Sequence, residues 1–76
     1  MTSRRPPVRA ETLSAAAWCV RLRGRRGATF EYRVEVSATP DRARSTAIHE
    51  ARLRAAADTG APAHSFYLLD AERISR

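Results

Sequence analysis

Arginine is the residue type whose number and spacing in this sequence point most directly to chemistry. A guanidinium group presents a planar fork of donors that fits phosphate oxygens and the edge of guanine. Five arginines lie close together along the chain: Arg21, Arg23, Arg25, Arg26 and Arg33. This cluster is a candidate nucleic-acid-binding site that contacts the phosphates of DNA or RNA. The alternatives are a solvated charged surface and a contact with a protein partner.

The overall charge agrees with a polyanionic partner but does not require one. The chain has 76 residues, 14 of them basic and 8 acidic, for a net charge of +6, and every basic residue is arginine. An excess of positive charge favours association with nucleic acid. Enrichment in arginine and alanine without lysine, asparagine or glutamine is also typical of a GC-rich coding sequence. Composition therefore accounts for part of the charge, and it predicts a bacterial chain.

Residues suited to catalysis or metal binding are few and scattered. Cys19 is the single cysteine, which excludes an internal disulfide, and with two histidines there is no ligand set of zinc type. Positive charge from Arg21 and Arg33 would favour the thiolate form of Cys19. No histidine lies nearby in sequence to act as its base, so we expect an ordinary strand residue. The sequence predicts no enzyme activity, no cofactor and no metal.

The residues around the arginine cluster alternate between apolar and polar in two segments. The apolar positions all carry even numbers: Trp18, Val20, Leu22, Phe30, Tyr32, Val34 and Val36. This period predicts two strands with one buried face and one exposed face. The alanine-rich segment 13–17 is compatible with a helical turn or with the beginning of the first strand.

The same alternation constrains the turn between the strands. Directly opposed residues of an antiparallel pair share a face, so apolar-with-apolar pairing requires position numbers with an even sum. A three-residue loop, 25–27, meets this condition and places Gly27 where a left-handed residue is needed. The predicted register pairs Leu22 with Phe30, Val20 with Tyr32, Trp18 with Val34, Arg21 with Glu31, and Cys19 with Arg33. The arginine cluster then lies on the exposed face and the loop.

A helix is predicted after the second strand. Thr39 is a side-chain cap, Pro40 suits the first helical position and Asp41 places an acid in the first turn. The helix is expected to end at about Thr59, because Gly60 supplies a left-handed stop.

The predicted helix has one clear apolar stripe and a second apolar side. Alanines recur every four residues along the stripe, which allows close approach to a sheet: Ala43, Ala47, Ala51 and Ala55. Leu53 and Ala57 fall on another side, where the C-terminal segment or another molecule is expected to pack.

A third strand is predicted from His64 to about Asp70. Four apolar residues run consecutively there, so the alternation does not decide which of them face the core. Tyr67 is either an exposed ring suited to base stacking or a buried or edge residue.

Together these elements predict an α+β fold, a small single domain with β-β-α-β order, in which one helix packs on one face of an antiparallel three-stranded sheet. The domain is expected to span 13–76, preceded by a disordered basic arm at 1–12. No stretch approaches the roughly 18 apolar residues of a membrane span, and a cytoplasmic location is expected. The leading functional hypothesis is a small nucleic-acid-binding accessory protein, and the alternative is a protein–protein interaction module, either a small regulator or a homodimer.

Overall fold

The predicted order of elements is confirmed by a computed structural model that describes residues 13–74. Strand β1 spans Ser14–Arg23, strand β2 Thr29–Ala38, helix α1 Pro40–Thr59 and strand β3 Tyr67–Arg73, with a short 3-10 turn at Ala63–Ser65 before β3. The three strands form one antiparallel sheet in the order β2-β1-β3. Helix α1 packs on one face of this sheet, and the opposite face is called the open face below. The predicted basic arm lies outside the described residues.

The hairpin register is the predicted one. Leu22 lies opposite Phe30, Val20 opposite Tyr32 and Trp18 opposite Val34. The loop is closed by two backbone hydrogen bonds, from Gly24 N–H to Ala28 O at 2.8 Å and from Gly27 N–H to Gly24 O at 3.0 Å.

Gly27 has φ 90°, the left-handed conformation that the three-residue loop was predicted to require. Strand β1 also settles the ambiguity of segment 13–17, because it begins at Ser14 and is extended throughout. The central strand β1 therefore begins before the segment in which apolar and polar residues alternate.

The core forms between the sheet and the alanine stripe of the helix. Val20, Leu22 and Val34 are the largest fully buried side chains, and they face three fully buried alanines. These are Ala47, Ala51 and Ala55. Because alanine is small, the helix axis can approach the sheet closely, and the β-branched and leucine side chains of the strands fill the space between them.

The helix ends where it was predicted to end, but its beginning differs in detail. Gly60 has φ 83° and donates its N–H to Ala56 O at 2.8 Å. Thr39 occupies the cap position without a side-chain cap hydrogen bond, so that part of the prediction was wrong. Its hydroxyl donates instead to Asp41 Oδ1 at 2.7 Å, and this bond lowers the pKa of the Asp41 carboxyl.

The third strand begins and ends about three residues later than predicted. His64 lies in the 3-10 turn, where Ser65 N–H donates to Pro62 O at 3.0 Å. The register between β1 and β3 then shifts, because Leu22 pairs with Leu68 while the neighbouring Arg21 pairs with Asp70.

Leu69 is the extra residue of this bulge, and it is exposed. Phe66 is buried and Leu68 is half-buried against the core, whereas Tyr67 is exposed. A bulge of this kind changes which residues face the core, and period-2 alternation cannot describe it.

Candidate nucleic-acid interface

All five arginines of the sequence cluster are exposed, but they fall into two different environments. Arg21 and Arg33 lie in the middle of the open face, and Arg23 lies at the end of β1 next to the loop. Arg25 and Arg26 form the loop itself. The sheet register decides which of them face acidic residues.

In the middle of the open face, acidic residues neutralise the arginines. Arg21 lies between Glu31 on β2 and Asp70 on β3. At the preceding open-face position of β1, Cys19 lies between Arg33 on β2 and Glu72 on β3. Opposed residues in an antiparallel pair have Cβ atoms about 4.5–5.5 Å apart, so Arg21 and its two carboxylates are neighbours. Arg33 lies opposite Cys19, and its acidic neighbours are Glu31 and Glu35, two residues away on the same face of its own strand.

Including the strand end, this face holds three arginines and four acids: Arg21, Arg23, Arg33, Glu31, Glu35, Asp70 and Glu72. The open face is therefore a mixed-charge surface rather than a continuous positive one. It has no excess of positive charge to attract a polyanion.

The hairpin end has a different charge balance. Arg23 has Thr29 and Tyr67 as its register partners, and neither is a carboxylate. Arg25 and Arg26 extend beyond the last paired residues of the sheet. Positive charge is therefore concentrated at this end of the described domain.

Tyr67 adds an aromatic surface to the same end. It is 66% exposed, and it lies opposite Arg23 on the edge strand β3. The structure excludes the buried alternative considered from sequence, because the Tyr67 ring is exposed on an edge strand. We refer to Arg23, Arg25, Arg26 and Tyr67 as the hairpin-end patch.

A cleft opens directly beside the hairpin-end patch, between the loop and the C-terminal end of α1. Its volume is about 410 Å³. The lining residues come from three separate segments of the chain: Gly24, Arg25, Arg26, Ala28, Phe30, Thr59, Ala61, Ser65 and Phe66. We call this the tip cleft.

Two phenylalanine rings form the aromatic wall of the tip cleft. The rings of Phe30 and Phe66 meet edge to face, with centroids 5.7 Å apart and an interplanar angle of 88°. Gly24 lies against both rings, because a Cβ on Gly24 would be 3.4 Å from Phe30 Cε2 and 3.7 Å from Phe66 Cε1. The loop backbone therefore packs directly on the aromatic pair.

The hydroxyl groups that line the tip cleft are engaged with nearby backbone. Thr59 Oγ1 donates to Ala55 O at 2.8 Å and accepts from Ala61 N–H at 3.1 Å. Ser65 Oγ donates to Pro62 O at 2.6 Å. The two arginines of the loop are thus the charged groups of a cleft that is otherwise apolar or internally hydrogen-bonded.

The tip cleft could not have been identified from sequence. Alternation placed Phe30 on the buried face beside the turn, but it gave Phe66 no definite facing. No spacing rule connects the loop to the end of the helix, since their proximity depends on how α1 crosses the sheet. The arginines alone were visible in the sequence.

Cys19 lies on the open face opposite Arg33, as predicted, but its pKa is raised rather than lowered, because Glu31 outweighs the predicted effect of the arginines. Its Sγ donates to Glu31 Oε2 at 3.0 Å. This hydrogen bond is the main reason that the pKa of the Cys19 thiol is raised; burial and the negative charge of Glu31 act in the same direction. Arg21 opposes the effect without reversing it. The thiol is held in its protonated, less nucleophilic form.

Within residues 13–74, metal binding and membrane spanning would each need a particular arrangement of side chains. In that range no group of three or more His, Cys, Asp or Glu residues is arranged to hold a metal ion. His49 and His64 are both exposed and belong to different elements. Over the same residues, no helix has both the length and the apolar character needed to cross a membrane.

Comparison with known proteins gives no relative from which a function could be inferred: no family model, no curated protein and no solved structure matches this chain.

Proposed function

We propose that this protein is a small, non-catalytic nucleic-acid-binding accessory protein of the cytoplasm that binds through the hairpin-end patch. The observation that carries the proposal is the difference in charge environment along the hairpin. Arg21 faces carboxylates across the sheet, and Arg33 lies between Glu31 and Glu35 along its own strand. Arg23, Arg25 and Arg26 have no carboxylate in either kind of position. The proposed interface is therefore smaller than the whole arginine cluster.

The chemistry of the patch suits a phosphate backbone with accessible bases. Arginine donates to phosphate oxygens in bidentate geometry, and each contact releases condensed counterions, so that affinity depends steeply on salt. An exposed tyrosine next to such cations gives a base a ring to stack on. Stacking requires an unpaired base, which favours single-stranded over duplex nucleic acid.

A salt titration of binding tests the proposal. Fluorescence anisotropy with a labelled single-stranded oligonucleotide is expected to show affinity that falls linearly on a log–log plot. The double variant Arg25→Ala/Arg26→Ala is expected to reduce the slope by about 1.4, since each neutralised phosphate contributes about 0.7 for single strands. Absence of binding at micromolar protein, or affinity that does not change with salt, would contradict the proposal.

Two matched double variants separate the hairpin end from general charge. Arg42→Ala/Arg44→Ala removes the same charge from the exposed first turns of α1. That region is about 22–26 Å along the helix axis from Thr59, which lines the tip cleft. Arg21→Ala/Arg33→Ala removes it from the mixed-charge face. Both are expected to weaken binding much less than the loop variant, and an equal loss from all three would place binding outside the patch.

The alternative function is a protein-interaction module, and exposed apolar side chains are the observation in its favour. Leu13, Leu53, Leu69 and Ile74 are all exposed in the described domain. Homodimerisation by edge pairing has less support, because both edges carry protective features. Strand β2 exposes charged side chains. A backbone carbonyl of this strand, Arg33 O, also accepts a hydrogen bond from Arg54 Nη1 at 3.1 Å. Strand β3 is interrupted by the bulge.

Light scattering distinguishes the homodimer version of this alternative. A molecular mass that rises with concentration and returns to that of a monomer in Leu53→Arg would support a helix-mediated dimer. A constant monomer mass would exclude the dimer and leave only a different protein as partner.

A further inference from the structure

We infer that the tip cleft receives one unpaired base of a bound nucleic-acid strand while Arg25 and Arg26 hold the adjacent phosphates. The inference rests on the proposed function and adds to it a specific pocket for the base. It differs from stacking on Tyr67, which lies on the open face and does not line the cleft.

The charge of the cleft selects an anionic ligand. Arg25 and Arg26 are both exposed and belong to the lining, which contains no carboxylate. Two guanidinium groups at the edge of a cleft attract phosphate and offer it bidentate hydrogen bonds. The ligand must therefore carry negative charge close to the part that enters the cleft.

The aromatic wall selects a flat apolar group for the interior. Phe66 is 3% exposed, so the accessible aromatic surface is that of half-buried Phe30, which Phe66 supports from behind in edge-to-face contact. Ala28 and Ala61 complete the apolar part of the lining. A free phosphate would leave this surface unused, whereas a nucleotide unit joins a flat base to a phosphate through one sugar.

The size of the cleft agrees with this occupant. Pockets that bind small organic molecules have volumes of about 300–1,000 Å³, and the tip cleft, at about 410 Å³, lies near the lower end of that range. A base pair inside a duplex cannot enter such a cleft without being opened. Entry of a base therefore discriminates between single and double strands.

Hydrogen bonds hold the walls of the cleft in place before any ligand binds. Arg52 Nε donates to Phe66 O at 3.2 Å, which fixes the segment that carries the aromatic wall to the helix. Thr59 and Gly60 end the helix with bonds to Ala55 O and Ala56 O. A pocket that is already formed loses less conformational freedom on binding.

Three probes of equal length and labelling test the inference without altering the protein. These are a single-stranded oligothymidine, a strand of the same length in which every position is abasic, and a duplex. The oligothymidine is expected to bind about tenfold or more tighter than either of the others. Equal affinity for all three, with Arg25→Ala/Arg26→Ala weakening each, would overturn the inference and leave the proposed function standing.

Variants then locate the base. Ala61→Leu places a larger side chain in the cleft lining and is expected to lower oligothymidine affinity to that of the abasic strand without changing duplex affinity. Ala57→Leu adds the same side chain at an exposed helix position outside the lining and is expected to change neither. Circular dichroism and the unchanged duplex affinity verify that Ala61→Leu is folded.

Tyr67→Ala tests the competing site, in which the base stacks on the Tyr67 ring. If it abolishes the preference for single strands while Ala61→Leu does not, the base stacks on Tyr67 and the inference is wrong. If no probe binds the unaltered protein, the proposed function and the inference fail together.

Discussion

Cys19 and Glu31 illustrate how neighbouring side chains determine reactivity on the open face. They belong to adjacent strands, and the thiol donates to the carboxylate at 3.0 Å. A hydrogen bond from the protonated thiol to an anion stabilises the thiol form, and the nearby negative charge disfavours a thiolate. Both effects oppose the positive charge of Arg21, which favours the thiolate.

Glu31→Gln is expected to lower the pKa of Cys19. Glutamine removes the negative charge and replaces a charge-assisted hydrogen bond by a weaker neutral one. The rate of thiol alkylation as a function of pH measures this change, since only the thiolate reacts. The rise in rate is expected at lower pH in the variant. Glu35→Gln, on the same strand and face, is the control, and an equal shift in both variants would show that Glu31 acts only through long-range charge.

Tyr32 links the sheet to the last turn of the helix. Its hydroxyl donates to Asp58 Oδ2 at 2.8 Å. The pKa of Tyr32 is raised, first because burial disfavours the phenolate and second because of the bond to Asp58. A folded-state pKa above the unfolded one means that the folded chain keeps its proton longer. The stability that this difference in pKa contributes is fully present below about pH 10, the ordinary tyrosine pKa. It is lost as pH rises through the pKa of the folded state.

Tyr32→Phe is expected to reduce the free energy of unfolding by about 0.5–1.5 kcal/mol at neutral pH, toward the lower end because solvent reaches the pair. Urea unfolding followed by the fluorescence of Trp18, the single tryptophan, measures it. Tyr67→Phe removes the other tyrosine hydroxyl from an exposed position and is the control. Equal stability of the two variants would indicate that the Asp58 bond adds nothing.

At the level of elements, the alanine stripe sets the distance between α1 and the sheet. Ala51 has no exposed surface and lies in the middle of the stripe, opposite the large strand residues of the core. A bigger side chain there must push the helix away or adopt a strained rotamer. The closeness of this contact also positions the helix end beside the hairpin loop.

Ala51→Leu is expected to cost about 1–3 kcal/mol of stability, the usual range for overpacking a filled core. Ala57→Leu makes the same change on an exposed side of the same helix, and it is expected to be nearly neutral. Chemical denaturation of both variants gives the comparison. A small effect at both positions would mean that the helix is loosely seated on the sheet.

The hairpin was predictable from sequence because two independent constraints agreed. Alternation fixed which side chains share a face and required an odd loop length, and Gly27 stood where a three-residue loop needs its left-handed residue. The third strand was less predictable because four consecutive apolar residues carry no alternation. The structure resolves the ambiguity with a bulge at Leu69. Thr39 was misjudged because Asp41, two residues away, competes for its hydroxyl.

The candidate site, like the fold, could be predicted only in part from the sequence. The arginines were predicted by residue type, and the predicted hairpin register already placed Arg21 opposite Glu31. The sequence did not show the acidic residues that the third strand adds to this face. Asp70 and Glu72 lie far from Arg21 in the chain and reach the open face only through the pairing of β3 with β1. Charge compensation between distant segments depends on topology, and so does a cleft built from three segments.

At the level of the whole molecule, the net charge is divided equally between the described domain and the remaining residues. Residues 13–74 contain ten arginines and seven acidic residues, which leaves +3 of the total +6. The other +3 comes from the ends of the chain: Arg4, Arg5, Arg9 and Arg76 against Glu11. Charges at the ends attract a polyanion without reading its structure, whereas the hairpin end and its cleft are expected to select the form of the strand.

Replacing Arg4, Arg5 and Arg9 together by alanine in the full chain is expected to separate these two contributions. Affinity for single-stranded, abasic and duplex probes should fall by a similar factor, and the salt slope for single strands should fall by up to about 2, or about 0.7 for each lost phosphate contact. The ratio of single-stranded to duplex affinity should not change, since the tip cleft is unaltered. Loss of that ratio would mean that selectivity lies in the N-terminal segment and not in the hairpin end.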